Sequence, residues 1–404
     1  MIISLAWRNV WRNKTRSFAV ILALTMGLFG ALFIASMSNG MVDKWIKNTI
    51  ENEISDIQIH NAEYLVMEEL TLTLDEPKVN GYLKDNENIK SYCTRLKTDA
   101  MAMTANNSAQ VNLMGIDPDQ EKLVTGVHNQ LIEGAYLQTD SKFKPIILSE
   151  RLAEKLKVKM KSKIIFTLAD NAGNMVYENF KVNGIFDTNN TMFDDRNVFV
   201  RKSDLQRILK LGQNEAHEVA IRVTNQEVLE STIAVLQKTF DNYKTEGWKD
   251  INPTLHMSGS LMTMFNYILV GIVLIALIFG IINTMLMVIL ERTKEIGMLR
   301  SLGMGKRKIA QMITLETIFL CLVGGILGNL LALVSIEYFG RVGMHFESFK
   351  EGMEQFGMSA YIYPTLEYSF YFIITLMVVI TAIFSSIFPI IRAFKLNPAL
   401  AIRD

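Results

Sequence analysis

Four runs of this chain are long and apolar enough to cross a bilayer, and they constrain its fold more than any other feature. Residues 18–37 form a run of twenty without a charge, about 30 Å as a helix. Residues 261–290 are thirty without a charge, about 45 Å, so this segment must tilt or project beyond the hydrocarbon. Residues 317–336 are a third such run, and 368–391 a fourth, with Pro389 near its end. The first run follows a basic segment, as a signal peptide would. It is longer than a usual signal core, and Ala35-Ser36-Met37 is a poor cleavage site, so the reading is a retained anchor. Its helical stripe continues through Met41, Val42, Trp45, Ile46, Thr49 and Ile50.

Charge orients these runs. Residues 1–17, 291–308 and 392–404 together hold thirteen basic and three acidic residues, although the 404-residue chain has no net charge. Segregation of that kind places all three basic pieces, and both termini, on the cytoplasmic side. The expected order is therefore a cytoplasmic amphipathic N-terminal helix (1–17), a first span (18–40), an outer domain with a stalk (41–260) and a second span (261–290). A cytoplasmic loop (291–308), a third span (309–339), an outer loop (340–367), a fourth span (368–392) and a cytoplasmic tail (393–404) follow. The mean hydropathy of +0.20 suits a few spans plus a large polar domain. Neutrality argues against a nucleic-acid partner.

The outer domain reads as α+β. Ile57 and Ile59 alternate with polar residues as in a half-buried strand, and Val111 and Leu113 repeat the pattern. Residues 163–167, 198–200 and 219–223 are further strands. Residues 150–156 and 225–241 are helices, the latter with Val228, Ile233, Val235, Leu236 and Phe240 as its apolar positions. Residues 171–174 and 189–195 read as exposed loops, with Asp194 and Asp195 solvated. His60, His128, His217, His256 and His345 lack metal-ligand spacing and read as ordinary surface or strand residues. Cys93 and Cys321 are expected not to pair. No Gly-x-Ser-x-Gly or His-Glu-x-x-His pattern occurs, so no catalytic residue and no metal site is expected.

The most specific segment covers residues 291–308, Glu-Arg-Thr-Lys-Glu-Ile-Gly-Met-Leu-Arg-Ser-Leu-Gly-Met-Gly-Lys-Arg-Lys. It resembles the signature ERxxEIGxLRxLG, followed by a basic cluster, of the FtsX-like permease superfamily, which includes the MacB and LolC/LolE transporters. Glu316 followed by Gly324, Gly325 and Gly328 is similar to the family's next helix, and residues 396–404 resemble its C-terminal ending. Residues 147–156 resemble its periplasmic core and residues 5–14 its N-terminal helix, so the likeness extends over essentially the whole chain. The resemblance implies a type VII ABC transporter permease. Its fold would be an α-helical membrane protein with four transmembrane helices and a large α+β periplasmic domain. That domain would comprise a Porter-like part (near 54–115 and 216–256) and an inserted Sabre-like part (117–215). It further implies residence in the bacterial inner membrane, a second permease copy or paralogue, and an ABC ATPase partner that holds the ATP and Mg. This chain itself is expected to bind no cofactor. A periplasmic carrier or adaptor and membrane lipid complete the implied partners. Mechanotransmission, not alternating access, would be the mode of action.

Physical chemistry points the same way for residues 291–303. Ile296, Met298, Leu299 and Leu302 supply apolar anchors, Glu291, Arg292, Glu295 and Arg300 charged contacts, and Gly297 and Gly303 close approach. An ordinary basic loop against anionic lipid is the plainer alternative. Gly303-Met-Gly-Lys306 is not a phosphate loop, because Arg300 and Arg307 stand where glycine and Ser or Thr are required. ATP hydrolysis is therefore expected from a separate subunit. Glu316, inside the third span, is either functional or an interfacial residue that snorkels. The expected cargo is lipoprotein, extracted as by the LolC/LolE branch. The alternatives are MacB-like export of peptides or small amphiphiles and FtsX-like regulation of a periplasmic hydrolase. A lateral route for acyl chains is expected along Ile34, Met37 and Met41 on the first span and Leu261, Met262, Met264, Phe265 and Ile268 on the second.

Overall fold

The computed structural model describes residues 2–67, 69–138, 143–349, 352–353, 358 and 360–395. They form two compact units, one drawn from residues 2–42, 259–345 and 361–395, the other from the described residues of 43–258 and 346–360.

The first unit is built on four helices long and apolar enough to cross a membrane: Lys14–Thr49, Pro253–Glu291, Lys306–Val342 and Tyr368–Lys395. Each outruns the charge-free segment that announced it, because the flanking lysines, arginines and polar residues are themselves good helix formers. Leu24, Leu28 and Leu32 of the first helix, Val270 and Leu274 of the second, Leu320 of the third and Ile374 and Val378 of the fourth share one apolar core. The glycines of the third helix let it approach the first closely. A Cβ at Gly324 would lie 2.8 Å from Cβ of Leu24, and one at Gly328 3.0 Å from the Thr25 carbonyl oxygen. Thr25 Oγ1 donates to the Gly324 carbonyl at 3.2 Å, the kind of contact that small residues permit between spans. Residues 396–404, which carry the C-terminal resemblance, lie outside the described residues.

The second unit is α+β. Its 10-stranded sheet runs in the order Tyr243–Gly247, Ile57–Asn61, Glu218–Val223, Ile89–Met103, Ser108–Ile116, Asn197–Arg201, Pro145–Ser149, Met175–Phe186, Leu131–Gly134. Lys163–Ala169 bridges Ile89–Met103 and Met175–Phe186. The long strand Ile89–Met103 joins two cores. Its first half pairs with Glu218–Val223, over a core of Ile57, Val79, Leu83 and Leu236. Its second half contributes Ala100 and Ala102 to a core with Ile164, Phe166, Phe180 and Leu205. The Ser108–Ile116 strand, placed with the Porter-like part by the resemblance, thus packs largely with residues of the inserted part.

Several local expectations are corrected here. Ile57–Asn61 is buried on both faces, not one. Gln58 Nε2 donates to the Ile54 carbonyl at 2.9 Å, whereas His60 Nε2 lies 2.9 Å from Glu246 Oε2 without the geometry of a hydrogen bond. His217 is likewise buried, taking the Lys97 N–H at Nδ1 (3.0 Å), and its ring stacks on Tyr64. Burial pulls both imidazoles below the usual histidine range. The 189–195 loop is only partly exposed, since Thr191, Phe193 and Asp194 are buried. Thr188 Oγ1 donates to Asp194 Oδ1 at 2.7 Å, and the Thr188 N–H to Oδ2 at 3.2 Å. Val235 is half-exposed, while Leu236 and Phe240 are buried as expected, with Leu229 and Thr232 beside Leu236 on the buried face of Leu229–Thr239. Both cysteines are free and buried.

Candidate coupling site

The basic ends of the first unit gather around the segment with the most specific motif. The N-terminal helix Ile2–Val10 buries Ala6 and Val10. Trp7 sets its ring edge-on to Phe319, 5.4 Å between centroids. The helix Pro253–Glu291 ends where Arg292 leaves helical geometry, and a short helix, Thr293–Ser301, starts directly after it. Gly303, at φ +90°, turns the chain back, a conformation glycine adopts without the cost of a Cβ. Lys306 then opens the next long helix.

A chain of ion pairs holds this corner together. Arg16 makes a two-pronged contact with Glu291, and Arg12 pairs with Glu295. Arg292 Nε donates to Glu295 Oε2 at 3.0 Å, and its Nη1 to Glu316 Oε1 at 3.0 Å. Glu295 is thereby shared between the N-terminal segment and the end of the second long helix. Arg12 and Arg292 hold its carboxyl below the usual carboxylate range. Glu316 does not snorkel: it is 4% exposed, and Arg292 provides its counter-ion. A cavity of about 270 Å³ lies among Arg12, Arg16, Glu291, Arg292, Glu295 and Glu316.

The expected docking residues therefore divide into two groups. Glu291, Arg292 and Glu295 are engaged by their own chain. Ile296 and Gly297 are buried beneath the short helix. Leu302 is 78% exposed and Met298, another of the expected anchors, 53% exposed. Leu299, Leu302 and Gly303 line a largely apolar groove of about 1080 Å³, with Ile2, Met304 and Leu315 on its other walls. Arg300 is half-buried on the same helix. The apolar positions of the helix, Met298 among them, were legible in the sequence. The engagement of the acids was not, because Arg16 and Glu291 are 275 residues apart.

The residues expected to guide acyl chains lie on two helices and differ in exposure. Leu261, Met264, Phe265 and Ile268 are exposed on the second long helix, as is Ile34 on the first. Met37, Met41 and Met262 are half-buried. What the second helix turns to the first is Asn266, whose Nδ2 donates to Asn39 Oδ1 at 2.7 Å and lies 3.4 Å from the Ala35 carbonyl. Among the described residues no group of His, Cys, Asp and Glu is arranged to hold a metal ion.

Residues 17–239 match the family described as MacB-like periplasmic core domain, and residues 267–398 the family described as FtsX-like permease C-terminal. Among curated proteins, the macrolide export ATP-binding/permease protein MacB of Acinetobacter baylyi is 30% identical over 146 residues, 35% of this chain and 22% of that one. Its counterpart in Mannheimia succiniciproducens is 34% identical over 111 residues, 25% of this chain and 17% of that one. The chain thus spans only about a fifth of the length of the curated relatives it matches. The crystal structure of the periplasmic region of MacB from Actinobacillus actinomycetemcomitans covers 53% of this chain and 98% of its own, at 15% identity and a TM-score of 0.37.

Proposed function

The chain belongs to the family that joins a MacB-like periplasmic core domain to an FtsX-like permease C-terminal region, and from that premise we propose that it is the membrane-spanning subunit of a type VII ABC transporter. The observation that carries this reading is the short helix Thr293–Ser301, latched to its own chain by Glu295 while Leu302 and Met298 face outward beside an apolar groove. A helix held rigid on one side and apolar on the other suits a partner ATPase that must push on it. The helix then lies on the cytoplasmic side of the inner membrane, with both termini, in accord with the basic residues around it. ATP and Mg belong to the partner, and a second permease copy completes the assembly.

For cargo, the reading we favour is export of small amphipathic molecules, supported by relatives named for macrolide export. Lipoprotein release, the expectation drawn from the sequence, has no comparable support among those relatives. Purification of the full chain from its native membranes tests the coupling. Wild type is expected to retain an ATPase, and Leu302→Asp with Met298→Asp to lose it at least about tenfold, since anchors at the centre of an interface carry most of its energy. Undiminished retention by the double variant refutes the docking face. Absence of any ATPase from wild type refutes the transporter reading.

A further inference from the structure

Besides the two end strands of the sheet, the interior strand Ser108–Ile116 has a short stretch of edge that no other strand completes among the described residues, and that stretch lines a groove. In the hairpin of Ile89–Met103 and Ser108–Ile116, the Thr104 N–H donates to the Asn107 carbonyl at 2.9 Å. Antiparallel pairing then turns the backbone groups of the odd-numbered residues 109 to 115 toward Ile89–Met103, and those of Ser108, Gln110 and Asn112 away from it. On the far side, Asn197–Arg201 pairs only from Asn112 onward, where the Asn112 N–H donates to the Arg196 carbonyl at 2.7 Å. Upstream of that point the chain is coiled into the short helix Thr191–Asp194, fixed by the Asp194 contacts to Thr188, and cannot extend the pairing. The outward N–H and C=O of Gln110 are left without a strand partner among the described residues.

Gln110 and Asn112 line a groove of about 870 Å³. Its other walls carry the apolar Trp45 and Met192 and the charged Asp99 and Lys155. We propose that this groove binds an extended polypeptide segment, which adds to the sheet by exchanging backbone hydrogen bonds with Gln110. An amphiphile without paired amide donors and acceptors has no use for the open edge. A peptide satisfies it directly and offers alternate side chains to walls that bear apolar groups and both signs of charge. The open stretch is short, which also limits edge-to-edge association of the protein with itself. This inference goes beyond the transporter reading and requires neither an ATPase nor transport for its test.

Backbone recognition predicts an unusual mutational pattern. The full chain in lipid nanodiscs is titrated into fluorescein-labelled Lys-Thr-Val-Thr-Val-Thr-Lys, with fluorescence anisotropy as the readout. Gln110→Ala keeps the backbone amide and is expected to bind like wild type. Gln110→Pro removes the N–H at an edge position where proline is tolerated, and is expected to weaken binding about tenfold, the factor equivalent to one net hydrogen bond. The same peptide N-methylated at all five central residues, which blocks both edges of the strand, tests the ligand side without any change to the protein, and is expected to lose affinity similarly. Failure of wild type to bind the unmodified peptide, or equal binding of the N-methylated peptide, overturns the proposal.

Discussion

Arg292 is a single cation between two carboxylates, Glu295 and Glu316, the second of them inside a span. Removing one partner of a buried pair costs more than the pair itself contributes, because the remaining charge stays desolvated. Arg292→Ala is therefore expected to destabilise the protein by about 3–5 kcal/mol, and Arg292→Ala combined with Glu316→Leu to recover most of that loss, as measured by thermal melting in detergent. A double variant no more stable than the single one contradicts the pairing. In the α+β unit, Arg95 stands between Glu121 (2.7 Å) and Glu218 (2.8 Å), all three about 1% exposed. Its guanidinium is held well above the usual range by these carboxylates against the opposing effect of burial. Asp194 also shifts upward, which favours its neutral form: burial pushes its carboxyl up to about 7, against the Thr188 hydrogen bonds. A raised native value means that the protonated form supplies the stability, fully present below the ordinary carboxylate range and lost as pH rises toward about 7. Wild type is expected to melt at lower temperature at pH 8 than at pH 5, and Asp194→Asn to flatten that dependence. A variant with the wild-type slope excludes Asp194 as its source.

At the scale of elements, the close approach of Lys14–Thr49 and Lys306–Val342 depends on two glycines that leave no room for a Cβ. Gly324→Leu forces the side chain into Leu24 and the Ile21 carbonyl and is expected to cost about 1–3 kcal/mol by overpacking. Gly271→Leu, on an open stretch of the second helix, serves as the control, because its Cβ meets nothing within 4 Å. Equal melting temperatures for the two variants contradict the packing. The glycines were legible because their spacing places them on one helix face. That they face the first helix and not the fourth was not, since helical periodicity identifies a face without naming its neighbour. Gly325 illustrates the point, as its Cβ would meet Val378 of the fourth helix at 3.2 Å.

For the whole molecule, the proposed orientation makes a labelling prediction. A cysteine at Asn171 is expected to react with an impermeant maleimide in intact spheroplasts, and one at Ser301 only after lysis. Both parent residues are exposed, so accessibility is set by the membrane and not by packing. The opposite pattern reverses the orientation and places the short helix Thr293–Ser301 out of reach of an ATPase. The native cysteines, both buried, give little background.

The sequence by itself determined the four spans, because a bilayer demands long charge-free segments and rewards basic residues on one side, and both demands are written locally. It also determined the short helix after the second span and the glycine face of the third. The partners of the charged residues were decided by tertiary structure alone. Glu295 reads as a contact for another protein until Arg12 is seen beside it, and Arg95 and Glu218, 123 residues apart, become neighbours only when their strands pair. Asp194 looked solvated because its sequence neighbours are polar, yet the helix Thr191–Asp194 turns it inward. Burial of a charge depends on which distant groups arrive to compensate it, and composition within a few residues carries no record of that.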